Sequence, residues 1–205
     1  MIRLAHKYHV ADIQDQALLF LQDYYFPSDF NLYEERRKAH TIPHTYGIAA
    51  VNIARLTNTP SLLPVAFLEC HSLHEAIFNG HTREDGTVEH LSADDLRRCF
   101  VAQYALPKRY FLAMTTIFGL IPSAGCRDPE RCERGLNDSC SFIIRMEIAF
   151  LPDCIVKWAK VIRLATEVTS HICPECEKDL QARDARERRK FWEDLPKIFG
   201  ITVEE

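Results

Sequence analysis

The sequence predicts an all-α protein, and three observations carry that reading. Apolar residues recur at three- and four-residue spacing along almost all of the 205-residue chain, as expected of helices with one buried face. Glycine is scarce, at 7 residues, and the 10 prolines fall mostly between the periodic segments. Alternating β-branched runs, which a half-buried strand would show, are few.

The elements follow in order. Val10, Ile13, Ala17, Leu18 and Leu21 form a first apolar stripe; Tyr46, Ala49, Ala50, Ile53 and Leu56 form a second; Leu63, Ala66, Phe67, Cys70, Leu73 and Ile77 form a third. Thr59-Pro60 reads as an N-cap followed by proline at the first helical position, with Pro64 as the competing start. Asn79-Gly80 is expected to stop the third helix, and Asp85-Gly86 to turn the loop after it. Ser92-Ala-Asp-Asp95 reads as a capping-box variant opening a helix with Leu96, Cys99, Phe100 and Tyr104 inward. Pro107 is expected to interrupt that helix, the pattern resuming through Phe111, Met114 and Ile117 to Gly119. Residues 121–140, with Pro122, Gly125, Asp128-Pro129, Gly135 and Asn137-Asp138, read as loop with a helical turn. Asp153 then caps a helix with Ile155, Trp158, Ile162 and Ala165 on one face. A charged helix from Lys178 to about Lys190 follows. It has too few apolar residues to dock alone, so Trp192, Leu195 and Phe199 are expected to fold back as its anchor.

Composition excludes several function classes. The chain is 47% hydrophobic and 26% charged, an ordinary globular balance, and is long enough to bury a core. A net charge of −4 and a pI of about 6.1 argue against a general phosphate-backbone binder. Met1–Tyr8 has no apolar run like that of a secretory signal. Residues 110–122 and 142–156 are too short or too interrupted, by Arg145, Glu147 and Asp153, to reach the roughly 20 apolar residues of a membrane span. The expectation is an intracellular protein without a membrane segment, whose eight cysteines do not form disulfides.

The cysteine grouping carries the most chemistry. Cys173-Pro-Glu-Cys176 is a tight knuckle, and Cys126 and Cys132 lie in an upstream pair. Two such pairs can supply four thiolates to one tetrahedral Zn2+ at about 2.3 Å, a closed and structural site. His171 or Cys140 could replace one upstream ligand. A redox role for the knuckle is disfavoured because no βαβ pattern accompanies it. Cys70 reads as core with His71 and His74 on the surface beside it, and Cys99 and Cys154 as small core residues. His6, His9, His40 and His44 read as ordinary histidines. Arg183, Arg186, Arg188, Arg189 and Lys190 are interleaved with Asp184 and Glu187, which points to a solvated helix with i,i+4 links such as Asp184/Arg188. No nucleophile–base pair, phosphate-cradling loop or metal-protease motif occurs, so no catalytic residues and no enzyme activity are expected.

Several ordered motifs carry a family resemblance. Met1-Ile-Arg-Leu-Ala-His-Lys-Tyr8-His-Val10 with Ala17-Leu18 resembles the helix pair that follows a BTB/POZ domain. The run from Ile53 to Pro64, the Asp85-Gly86-Thr87 turn, the Leu91–Leu96 helix start, the knuckle and the final Trp192-x-x-Leu-Pro-x-Ile-Phe-Gly200 are similar to segments of fungal BTB-domain proteins. The resemblance is to the post-BTB part of that family, beginning at residue 1 without the BTB domain. It implies a BACK-like helical region over residues 1–119 and a zinc-clamped helical part over 120–205. It also implies a protein-interaction role, with a BTB domain or a second copy docking on the N-terminal helices. The competing expectation is a zinc-containing, nucleic-acid-binding transcriptional regulator.

Overall fold

The computed structural model describes residues 1–39, 43–145, 158–169 and 171–202. Among these the chain is all-α apart from one short hairpin. Two compact units form, Met1–Gln103 with Asp194–Glu205, and Tyr104–Glu193.

The first unit runs α1 (Ile2–Lys7), α2 (Ala11–Tyr24), α3 (Phe30–Ala39), α4 (Tyr46–Thr57), a tight helical turn Pro60–Leu62, and α5 (Leu63–His71). A further turn, His74–Asn79, leads into the antiparallel hairpin β1 (His81–Thr82) and β2 (Val88–Glu89). α6 (Ala93–Ile117) starts here and continues into the second unit. Residues 63–71 are apolar on nearly every side, and a helix of that kind must be buried all round. Leu63, Val65, Ala66, Phe67, Leu68 and Cys70 accordingly form the centre of the unit. α4 packs on α5 through Gly47, where a Cβ would meet the Ala66 carbonyl oxygen at 2.8 Å and Glu69 Cβ at 2.9 Å. Phe199 stacks on Phe67, centroids 5.3 Å apart, and Leu195 is also buried. Arg98 donates to the Phe199 and Gly200 carbonyls, closing the C-terminal end of the chain's last helix.

Local signals account for the boundaries. Ser92 Oγ accepts the Asp95 N–H at 3.1 Å and donates to its carboxylate at 3.0 Å, as the capping reading expects. Gly80 and Gly86 both take positive φ, at 78° and 81°, a region open to glycine without strain. The third stripe is split, α5 ending at His71 before the turn to Asn79.

The second unit contains the rest of α6, then α7 (Pro129–Arg145), α8 (Ala159–Thr169) and α9 (Pro174–Ile198), whose final turn belongs to the first unit. Trp158 is its centre, with ring centroids 5.0 Å from Tyr110 and 5.9 Å from Phe118. Leu136, Ile143, Ile162, Ala165 and Leu180 are buried in the same unit.

Several expectations are corrected. Pro107 lies inside a continuous α6; proline removes one ladder hydrogen bond, but helical turns on both sides keep their own. Residues 129–140 are helix, not loop: Cys132, Leu136, Ser139 and Ile143 recur on one buried face. Phe100, Tyr104 and Phe111 are exposed; Cys99 and Met114 are buried as expected, and Ala102, Leu106 and Tyr110 complete the inward face of α6. In α4 the buried face is Gly47, Ile48, Ala50, Val51 and Ala54; of the expected stripe Tyr46, Ala49, Ala50, Ile53 and Leu56 only Ala50 lies on it, and the face is rotated from the rest. His71 is buried, not a surface residue. Asp153, Cys154, Ile155 and His40 lie outside the described residues.

Candidate metal centre

The second unit gathers Cys126, Cys132, Cys173 and Cys176, with all four Sγ atoms within 4.8 Å of one another. Helix starts place three of them. Asp128 accepts the Arg131 N–H on Oδ1 at 3.2 Å, and Pro129 opens α7. Cys132 therefore falls in the first turn, its N–H bonded to the Asp128 carbonyl at 3.1 Å. Cys173 immediately precedes Pro174, the first residue of α9, and Cys176 follows within that first turn. Asp or Cys followed by proline starts both helices, since proline lacks the N–H that the first turn leaves unpaired. Cys126 comes from the loop between α6 and α7. That loop is tied down by Arg183, which donates to the carbonyls of Ile117, Gly119 and Ile121 and pairs with Asp179.

The geometry suits a metal. Four sulfurs at about 2.3 Å from one tetrahedral ion would stand about 3.8 Å apart, and Cys126 and Cys173 have their Sγ atoms at 3.8 Å. That spacing is far beyond a disulfide bond of about 2.05 Å. Cys132 and Cys176 are buried, while Cys126 and Cys173 are half-buried. Backbone donors face the sulfurs. The Cys173 N–H reaches Cys132 Sγ at 3.4 Å, and the Ser123 N–H reaches Cys176 Sγ at 3.3 Å. Such donors stabilise thiolate charge and fix ligand direction. Helix N-termini add partial positive charge at the same end.

Without an ion the four thiols differ in acidity. Burial pushes Cys176 up to about 12, against the opposing Ser123 N–H. Burial also raises Cys132. At Cys173 burial again acts upward, but the Cys176 backbone N–H and the neighbouring sulfurs outweigh it and bring the thiol down to about 7. A divalent ion would hold all four as thiolates. Four close cysteines could thus hold a metal ion, compatible with the expected zinc. They would fill every tetrahedral position.

The remaining predicted residues sit elsewhere. Cys140 directs its thiol at Met114 Sδ, 3.9 Å away, and burial raises it. His171 is exposed. Cys70 and Cys99 are buried in the first unit. Among the described residues His71 Nδ1 has no hydrogen-bond partner, and burial, with His74 adding, lowers it to about 4. His6 pairs with Gln14 and His44 with Glu69. The basic run of α9 is not wholly solvated. Arg183 is half-buried, and Arg188 is buried against Asp184 at 3.1 Å.

A second feature lies in the first unit, at the N-terminal helices. α1, α2, α4 and the hairpin enclose a groove of about 1040 Å³. Ile13, Ala17 and Leu21 line one wall; Tyr46, Ala49 and Ile53 line another. The apolar stripes expected to be core thus border this groove. Arg3, Arg83 and Glu89 form an ion-paired end.

Among the described residues no helix is long and apolar enough to cross a membrane. Comparison of the chain with protein-family models, curated proteins and solved structures finds no match.

Proposed function

We propose that this chain is a non-catalytic protein–protein interaction module, built from a helical unit with an apolar groove and a unit held by one structural zinc. The four mutually close cysteine sulfurs carry the reading. A zinc bound by four thiolates has no open position for substrate or water, so it acts by holding Cys126 and Cys132 of the loop–α7 segment against the α9 knuckle. Structural zinc in finger peptides contributes about 10–16 kcal/mol of apparent binding free energy. That is comparable to the whole stability of a domain, about 5–15 kcal/mol.

The interaction role is supported by the groove and by the apolar residues exposed beside it, Met1, Leu4, Ile13 and Phe20. Large contiguous apolar surface on a folded unit marks a binding site more often than not. Walls formed by residues at helical spacing suit an amphipathic helix. Following the resemblance to post-BTB regions, the partner is a BTB domain, and self-association is the other outcome to be measured. The nucleic-acid alternative is weakened by Arg183 and Arg188, which are engaged within their own unit. Light scattering of the chain, alone and with a BTB domain of the resembling family, tests the role against an Ile13→Glu/Ile53→Glu variant. Complex formation lost in the variant supports it. A clean monomer that binds no BTB domain but is retained on heparin at physiological salt overturns it in favour of the alternative.

A further inference from the structure

Gly135 stands in the middle of α7, a place where glycine is a poorer helix former than any residue but proline. It lies three residues after Cys132, on the same face of the helix. A Cβ at Gly135 would come to 2.9 Å from His171 Cβ, 2.9 Å from Ile172 Cγ1 and 3.1 Å from the His171 carbonyl carbon. Comfortable carbon contacts are about 3.5–4.0 Å, and two of these atoms belong to or sit directly on the main chain. They cannot swing aside as a side-chain tip could. The segment pressed against Gly135 leads straight into Cys173, whose N–H meets Cys132 Sγ at 3.4 Å.

We propose that Gly135 is the positioning residue of the metal centre. Its missing side chain lets residues 171–172 lie against α7, so that Cys132 and Cys173 meet at ligand spacing. The inference rests on the metal reading. Clearing a Cβ would move the segment by roughly 0.6–1 Å to restore ordinary contact. Metal–ligand distances tolerate only about 0.2 Å. Gly125, in the loop beside Cys126, is the contrast. A Cβ there would find nothing closer than Ser123 Oγ at 3.8 Å and Glu175 Cγ at 4.0 Å.

Zinc affinity of the full chain, by competition with a chromogenic chelator, and the visible spectrum of the Co2+-loaded protein test the proposal. Gly135→Ala is expected to weaken zinc binding by about tenfold or more, in the range seen when groups orienting metal ligands are removed, and to alter the Co2+ bands. Gly125→Ala is expected to leave both unchanged. Adding His171→Gly and Ile172→Ala to Gly135→Ala removes two of the three close contacts and is expected to recover most of the lost affinity. Equal affinity of Gly135→Ala and the natural chain overturns the positioning role and leaves the metal reading standing. A natural chain that binds neither ion overturns both. Should Gly135→Ala misfold, the triple variant decides: recovered affinity supports the role, and a folded triple variant that binds no zinc refutes it.

Discussion

Truncating Phe199 to alanine tests how the last turn of the chain is held. Its ring is 1% exposed and stacks on Phe67 with 21° between planes. Core Phe→Ala changes cost about 3–5 kcal/mol, transfer and cavity terms together. Of this the aromatic pair accounts for about 0.5–1.5 kcal/mol. The Arg98 contacts go to main-chain oxygens of Phe199 and Gly200, so the substitution does not delete them, and the loss should be that of packing alone. Phe78, 70% exposed in the same unit, is the control, with an expected cost within about 0.5 kcal/mol. Urea unfolding followed by far-UV circular dichroism gives the stability change. Hydrogen exchange resolved by peptide shows whether α5 and residues 194–202 lose protection together. A Phe199→Ala cost below about 1 kcal/mol, or protection lost at residues 194–202 but kept in α5, would refute the packing argument.

Three further outcomes follow from local chemistry. Ser92→Ala should cost about 1 kcal/mol through loss of the α6 cap, measured by the same unfolding series, while Ser92→Thr should retain most of it. His71 is held neutral in the fold, at about 4 against an ordinary 6.5. The unfolded chain therefore binds a proton that the folded chain refuses. Stability should fall as pH drops below about 6.5 and level off below about 4, by roughly 3 kcal/mol in all, and His71→Phe should flatten this limb of a pH–stability profile. Zinc binding near pH 6 should release about three protons or more, because Cys132, Cys173 and Cys176 are all protonated there without metal and must ionise to bind. Calorimetry in buffers of different ionisation enthalpy would show this, and a proton release near zero would contradict it.

Much of the architecture was legible where one local signal had one physical outcome. Ser92 with Asp95 capped a helix because the hydroxyl has no better use at that position, and Asp85-Gly86 turned because glycine admits positive φ. The cysteine pairs were legible because their spacing is chemical, not periodic. What failed did so for tertiary reasons. Around α4 the run Gly47–Ala54 is apolar on several faces, and only the close approach at Gly47 decides which one meets α5. Gly47 itself was the available clue, as a glycine inside a strongly periodic helix. α7 was obscured by Gly135 and Asn137-Asp138, residues common in turns. Asp128-Pro129 marked its start, and the Cys132, Leu136, Ile143 recurrence marked its buried face. In sequence Gly135 reads as a loop residue, although a glycine inside a helix points to a close neighbour. The inward turn of Arg183 could not be read from charge pattern, because its acceptors are main-chain carbonyls more than 60 residues away in sequence.

The most direct test of the account is the metal itself. Elemental analysis of the purified chain, joined to X-ray absorption at the zinc edge, measures both stoichiometry and ligand type. The purified chain should carry close to one zinc, surrounded by four sulfurs at about 2.3 Å, with the metal lost in Cys132→Ala and in Cys176→Ala. A chain free of metal, or a zinc with a nitrogen or oxygen in its shell, would contradict a closed site made by Cys126, Cys132, Cys173 and Cys176.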